Sequence, residues 1–347
     1  MKILSIESSC DESSVSIFDT EQGVLLNLIH TQIDLHALYG GVVPDLASSE
    51  HLKKLPLLAA KAIKSSEFAG TQKIAVTTGP GLPNCLAIGL SAAKGISAAT
   101  GLPIEGVNHL RGHAFSPFIN IHAKDAKNFE ENRRSLLPHL GLVVSGGNTV
   151  LFELDENLKL SVIADTVDDA AGEALDKGAK MLGMPYPGAP ILEKRAISGK
   201  VDKNLFPYGQ NRKISEDPNF SFSGLKTSLR YYLEKLDAGE IDERFSDICA
   251  SYQFAVVEQL RRRCAYFLKV GAYASFGISG GVSNNAMLCS AMENLAKSRG
   301  AKFLCAPKEY RGDNAAMIAF AAFFDPNSTD SSQNLKIRPS CQMDLNS

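Results

Sequence analysis

His109 and His113 stand four residues apart in His109-Leu110-Arg111-Gly112-His113. On a helix that spacing places both imidazoles on one face, where they can share a metal ion and leave coordination positions open. Far downstream, Asp313-Asn314 opens the small-residue apolar run Ala315 to Ala322. Two imidazoles and one carboxylate with open positions suit Fe(II) or Zn(II), with Mn a weaker choice. Each piece also has a plainer explanation. A histidine pair at a helix start can be solvated surface, and an aspartate before a helical run can be a cap. Asp313 joins the pair only if folding brings it there, and spacing alone leaves that open.

The elements that would position such groups repeat along the chain. Lys2 to Asp19 and Leu140 to Asp155 each read as apolar strand, tight polar turn, apolar strand. The turns are Ser8-Ser9-Cys10-Asp11-Glu12-Ser13-Ser14 and Ser145-Gly146-Gly147-Asn148-Thr149. Downstream of each hairpin comes a strand, a glycine loop and a helix: Ile74 to Gly81 leads into Leu86 to Ala99, and Ser275 to Gly281 leads into Asn285 to Arg299. One α/β unit is used twice, which predicts two sheet domains facing each other across a cleft, with ligands at the strand ends. Glycine turns let backbone N–H groups approach phosphate closely. No Gly-x-x-x-x-Gly-Lys-Ser/Thr occurs and no Gly-x-Gly-x-x-Gly follows the first strand, which counts against a P-loop protein and a dinucleotide dehydrogenase.

At 347 residues and 44% hydrophobic content the chain can bury a core large enough for two domains. Its net charge of −2 means that any nucleic acid must be met by local basic groups or with help from a partner. Lys124, Lys127, Arg133 and Arg134 form one such stretch, equally readable as a solvated loop. Seven scattered cysteines without a Cys-x-x-Cys pair read as reduced thiols. Glu7 interrupts the first apolar run and no segment is apolar for the width of a bilayer, so a cytoplasmic protein without a membrane contact is expected. A helix is predicted over Asp168 to Lys180 with its acids in the first turns, as the helix dipole favours. Phe220 to Thr227 opens another helix, Arg261-Arg262-Arg263 reads as a solvated face, and residues 325–347 as a mobile tail.

Taken together, Ile6-Glu7-Ser8-Ser9-Cys10-Asp11-Glu12, Tyr39-Gly40-Gly41-Val42-Val43-Pro44, Gly79-Pro80-Gly81-Leu82, His109-x-x-x-His113, Val144-Ser145-Gly146-Gly147, Asp168-Asp169-Ala170-Ala171-Gly172-Glu173, Phe222-Ser223-Gly224-Leu225-Lys226, Gly280-Gly281-Val282-Ser283 and Asp313-Asn314 run in order along nearly the whole chain. This set resembles the bacterial TsaD family of tRNA N6-adenosine threonylcarbamoyltransferases, once taken for glycoproteases. No His-Glu-x-x-His supports proteolysis.

The resemblance implies two duplicated actin-like, sugar-kinase-like domains. They would span residues 1–135, with a helix near 313–324 packing back on them, and 136–312, with a helical insertion near 168–250. It implies that His109, His113 and Asp313 bind one divalent metal, Fe(2+) foremost and Zn(2+) as the alternative. Val143, Val144, Ser145, Gly146, Gly147, Asp176, Ala189 and Asn285 would contact the nucleotide of threonylcarbamoyl-AMP, and Asp11 and Glu12 would orient or deprotonate the attacking amine. The acceptor would be adenosine 37 of tRNAs reading codons that begin with A, and TsaB-like and TsaE-like subunits would be partners. Against the family pattern, Asn148 stands where histidine is usual, Ala189 for glycine, Arg111 for an acidic residue and Gly312 for threonine. An ATP-dependent phosphotransferase on the same fold, or a noncatalytic scaffold like TsaB, are the rival readings. Neither needs the histidine pair.

Overall fold

The structure, a computed structural model, describes residues 1–208, 213–327, 329–330 and 335–343. Two compact units emerge: Met1–Leu137 with Asp155–Leu160 and Cys305–Ser347, and Pro138–Leu154 with Ser161–Leu304. The strands are β1 (Lys2–Glu7), β2 (Glu12–Asp19), β3 (Gly23–Thr31), β4 (Thr71–Gly79), β5 (Ile104–Asn108), β6 (His139–Val144), β7 (Thr149–Leu154), β8 (Leu160–Asp165), β9 (Ser275–Ser279), β10 (Lys302–Cys305) and β11 (Thr329–Asp330). The α-helices are α1 (Ile33–Ala37), α2 (Pro44–Ile63), α3 (Pro83–Thr100), α4 (His109–Phe115), α5 (Ile119–Lys124), α6 (Phe129–Arg134), α7 (Ala171–Met181), α8 (Gly188–Ala196), α9 (Ser223–Leu233), α10 (Ala238–Val270), α11 (Ala286–Ser298) and α12 (Ala315–Phe324).

The first unit holds a six-stranded sheet in the order β11-β5-β4-β1-β2-β3 and the second a five-stranded sheet in the order β10-β9-β6-β7-β8. In the first, β1 pairs antiparallel with β2 and parallel with β4. In the second, β6 pairs antiparallel with β7 and parallel with β9. The duplicated unit expected from the sequence is therefore present, each copy a hairpin with a parallel strand beside its first member.

Both faces of the first sheet are covered, which explains why β1 and β2 are buried along almost their whole length. Leu4, Ile6, Val15, Ile17, Ile74 and Val76 meet Leu55, Ala59 and Ala62 of α2 and Leu90 and Ala93 of α3. On the other face lies α12, whose Ala-Ala-Met-Ile-Ala-Phe-Ala-Ala-Phe-Phe sequence is apolar all round, as a wholly buried helix must be. Small hydroxyls fix its start. The Ser5 hydroxyl donates to the Ala315 carbonyl at 2.6 Å, and the Ala315 N–H donates to Ser14 Oγ at 2.9 Å.

Three local expectations change. Of the tail, residues 328, 331–334 and 344–347 lie outside the described residues. Residues 335–343 are not loose, because Leu335 is buried in the first unit's core and Arg338 N–H donates to the Thr78 carbonyl. Asp168 and Asp169 precede α7 instead of opening it: Asp168 accepts from the N–H groups of Phe222 and Ser223 at the start of α9, and Asp169 pairs with Lys177 and Lys226. Arg263 is buried and donates to the carbonyls of Pro218 and Asn219, whereas Arg261 and Arg262 pair with Glu258. Among the described residues no helix is long and apolar enough to cross a membrane.

His139 begins β6 with its ring fully buried and Nδ1 2.7 Å from Ser275 Oγ. Burial pushes its pKa down to about 3. The fold thus prefers the neutral ring, while the unfolded chain takes up a proton near pH 6.5. Stability from this source is complete above that value and is lost as pH falls from it toward the folded pKa. Between pH 7 and pH 5 the loss amounts to about 2 kcal/mol. Urea unfolding at the two pH values should show it, and His139→Gln should flatten the difference. Equal pH dependence in variant and parent would refute the assignment.

Candidate functional site

Glu7 ends β1 with its side chain wholly buried. A carboxylate there is costly unless fully hydrogen-bonded, and three donors supply that: Ser9 N–H at 2.6 Å, the Thr77 hydroxyl at 2.5 Å and His109 Nδ1 at 3.0 Å. Burial alone would raise the Glu7 carboxyl, but the charge and hydrogen bond of His109 outweigh it and hold it below the usual range. The same contact, with Asp313, lifts His109 to about 9 against the opposing effect of burial. Once its second proton is lost, a ring that donates through Nδ1 presents Nε2 as its ligand atom, and that atom lies 3.6 Å from Asp313 Oδ1.

His113 sits one helical turn further along α4. Its Nε2 is 2.9 Å from the same Asp313 oxygen, and the two rings meet edge to face with centroids 4.8 Å apart. Burial would raise Asp313, but His109 and His113 hold it far below the usual carboxylate range. One ligand atom from each of the three residues lies within 4.8 Å of the others. Bonds of about 2.1 Å to a shared tetrahedral ion would put ligand atoms roughly 3.4 Å apart, and both histidine–aspartate separations lie near that. The residues therefore fit a metal. Among the described residues His113 Nδ1 has no hydrogen-bond partner, so the two histidines differ there: His109 has the Glu7 carboxylate behind it and His113 has none.

Two features of the chain bring these groups together. Asp313 is not the helix cap that its position suggested; Asn314 takes that role, its side chain accepting from the Met317 N–H at 3.0 Å. The Asp313 carboxylate is thereby left for the histidines. Gly112 lets α4 lie close on α12, since a Cβ there would come within 2.9 Å of Ile318 Cδ1 and 3.3 Å of Met317 Cγ. Asn108 starts α4 by accepting from the N–H groups of Leu110 and Arg111.

Asp11 lies on the turn between β1 and β2 and Glu12 opens β2, both in the same unit as His109, His113 and Asp313. His51 of α2 ties this turn down: its Nε2 donates to the Cys10 carbonyl at 2.9 Å, and its Nδ1 is 2.7 Å from Ser13 Oγ. Burial, then the charges of Asp11 and Asp313, raise Glu12 to about 10. A bound dication would oppose that shift.

The remaining predicted residues all fall in the second unit. Val143 and Val144 are buried at the end of β6, and Gly146 and Gly147 are exposed at the turn, where a Cβ would meet nothing within 4 Å. The turn itself is closed by Ser145 N–H donating to the Asn148 carbonyl and by Asn148 N–H donating to Ser145 Oγ. Gly172 packs against it, since a Cβ would lie 2.5 Å from the Ser145 carbonyl. Asp176 accepts from the Ala189 N–H at 2.7 Å, so the side chain of α7 caps the start of α8. Asn285 caps α11 through the Leu288 N–H and donates to Gln253.

Glu7, Thr77, Gly112 and His51 were not singled out from the sequence as site residues. The one available signal was an acid closing the apolar run Ile3-Leu4-Ser5-Ile6, a type and place that call for a buried partner.

The fold and the cluster define a two-unit α/β protein of the actin-like class with a His-His-Asp cluster that could hold a metal ion. Solved structures agree on the fold: HypF from T. kodakarensis (TM-score 0.58, 12% identity, 93% of this chain and 47% of that one) and the activator of 2-hydroxyisocaproyl-CoA dehydratase from Clostridium difficile (TM-score 0.50, 15% identity, 93% and 94%). The model of the family "TsaD: tRNA N6-adenosine threonylcarbamoyltransferase" matches residues 23–320. Relatives named tRNA N6-adenosine threonylcarbamoyltransferase are 40% identical in Thermosipho africanus and 37% in Thermotoga neapolitana, each match covering 93% of this chain and 94% of the relative. The chain belongs to the TsaD family.

Glu7→Gln keeps the volume of the side chain and removes its charge, so the His109 ring loses its carboxylate acceptor. Metal affinity should fall about 10- to 100-fold, measured by competition with a chromophoric chelator, while circular dichroism stays that of the parent. Unchanged affinity would show that Glu7 does not support the cluster.

Proposed function

We propose that the protein transfers the threonylcarbamoyl group from threonylcarbamoyl-AMP to N6 of adenosine 37 in tRNAs reading codons that begin with A, releasing AMP. Family membership supports the transferase, and the convergence of His109, His113 and Asp313 is the observation in this chain that carries the reading. The metal is taken to be Fe(2+), with Zn(2+) the alternative for a two-histidine, one-carboxylate set. When bound, it supplies Lewis acidity toward an oxygen of the donor.

The residues of the chain have separate tasks. Adenosine N6 is a weak nucleophile because its lone pair is delocalised into the ring, so it must be held against the carbamoyl carbon while a base takes its proton. Asp11 and Glu12 are the carboxyl groups assigned to that work. A new N–C bond forms as the C–O bond to the AMP phosphate breaks, and the electron pair leaves on the phosphate. In the second unit, the Ser145-Gly146-Gly147 turn is suited to receive that charge, because its glycines leave the backbone N–H groups open to a phosphate oxygen. Val143, Val144, Asp176, Ala189 and Asn285 are assigned to the same nucleotide. A phosphotransferase would have no use for the histidine pair.

A chain of net charge −2 would bind tRNA more readily beside basic partners, and TsaB-like and TsaE-like subunits are proposed for this role, in the cytoplasm. The reading is tested by reconstitution with tRNA, threonine, bicarbonate, ATP, a threonylcarbamoyl-adenylate synthase and those partners, followed by nucleoside analysis. Threonylcarbamoyladenosine should accumulate only when this protein is present. His113→Ala and His109→Ala should each abolish both metal retention and product, with the far-ultraviolet dichroism preserved. Full transfer by His113→Ala in the presence of a chelator would end the metal assignment.

A further inference from the structure

Arg111 lies between the two histidines but faces away from them, and it is buried. Its guanidinium forks onto Asp325 at the end of α12, Nη2 donating to Oδ1 at 2.8 Å and Nε to Oδ2, while Nη1 donates to the Met343 carbonyl at 3.1 Å. A buried arginine is tolerated only when paired in this way. Here the pair ties α4 both to the far end of the helix that Asp313 precedes and to the C-terminal segment.

That segment is bound at several further points. Asn108, the cap of α4, donates through Nδ2 to the Gln342 carbonyl at 3.0 Å, and Cys341 Sγ lies 3.4 Å from the same nitrogen. Gly81 N–H donates to the Pro339 carbonyl at 3.1 Å. Gly79 is the close approach: with φ of +154°, it has the Arg338 carbonyl where a Cβ would be, 1.9 Å from that position. Leu82 N–H in turn donates to the Ser9 carbonyl, next to the turn that bears Asp11 and Glu12.

We propose that residues 338–343 form a strap that seats the histidine helix, and that Arg111 is the positioning residue locking strap and helix together. The proposal rests on the reading of His109, His113 and Asp313 as metal ligands. The hydrogen bonds named above take the strap to Thr78, Gly81, Asn108 and Arg111, not to His109, His113 or Asp313. It fixes the residue that caps α4 and the residue in its middle, and so the angle at which both imidazoles are presented. Arginine at position 111 then has a physical reason: the acid it needs is supplied by Asp325.

Three full-length or near full-length variants test this. One ends after Ile337, retaining Leu335 and Ile337 in the core; one carries Arg111→Lys, which keeps the charge and loses the fork; one ends after Met343 as a control. Co(II) binding is followed by its visible absorption and Zn(II) affinity by chelator competition, and hydrogen exchange is read at 108–115. The first two variants should bind metal at least tenfold more weakly and exchange faster across α4, with secondary structure intact, while the control matches the parent. If the shortened chain does not fold, Arg111→Lys decides alone. Parent-like affinity and parent-like exchange in α4 would overturn the strap. If the parent itself holds no metal on these residues, the ligand assignment fails, and the exchange at α4 still decides whether the strap seats the helix.

Discussion

A carboxylate with no access to water governs the first unit. Glu7 cannot be left unpaired, because an isolated buried charge costs several kcal/mol even after the protein relaxes around it. It is satisfied by donors from β4, from the following turn and from α4. Each is therefore held to the end of β1: the turn with Asp11 and Glu12, the strand that runs into Gly79-Pro80-Gly81, and the helix of the two histidines. Because the ring of His109 donates to this acid through one nitrogen, its orientation is fixed, and when the second ring proton leaves the other nitrogen becomes the ligand atom. The chemistry of the cluster is in this sense set from beneath it.

The fold was readable because its signals are local. Two hairpins and two strand–loop–helix passages announce themselves by alternation and turn residues, and β1–β2 and β6–β7 appear where expected. The histidine pair was visible from its spacing. What made it a site was not, since the approach of Asp313 depends on α12 lying across the sheet, on Gly112 admitting it and on Asn314 relieving Asp313 of the capping role. Those are facts of packing between segments far apart in the chain. Capping was a sound expectation for one of two adjacent polar residues, and the neighbour took it.

The same limit applies to the misread charges. Asp168 and Asp169 have the composition of a helix start, and the helix dipole would reward them there. The structure gives Asp168 instead to the head of α9, far along the chain, and splits Asp169 between Lys226 of that helix and Lys177 of α7. Arg263 within a triple arginine run reads as solvated, yet it is drawn in by two carbonyls. A polar C-terminal sequence reads as loose, yet 335–343 carries few charges: it donates an N–H to the Thr78 carbonyl of β4 and offers its own carbonyls to Gly81 just after β4, to Asn108 at the head of α4 and to Arg111 within it. Composition gives the average fate of such segments and cannot name the donors.

The departures from the family pattern separate by where they sit. Arg111 is matched by Asp325, a pair that no local reading could anticipate because its members are distant in sequence and joined only by burial. Asn148 closes its turn through backbone groups that any residue supplies, N–H to Ser145 Oγ and carbonyl to Ser145 N–H, so the histidine usual there is not needed to shape the loop. Ala189 likewise contributes its N–H to Asp176, a contact independent of the added methyl. The substitutions thus leave the backbone geometry of their turns in place. Under the proposed nucleotide assignment, any effect on affinity would come from what the new side chains present to the ligand, as steric contact at Ala189 and as a neutral amide in place of a titratable ring at Asn148.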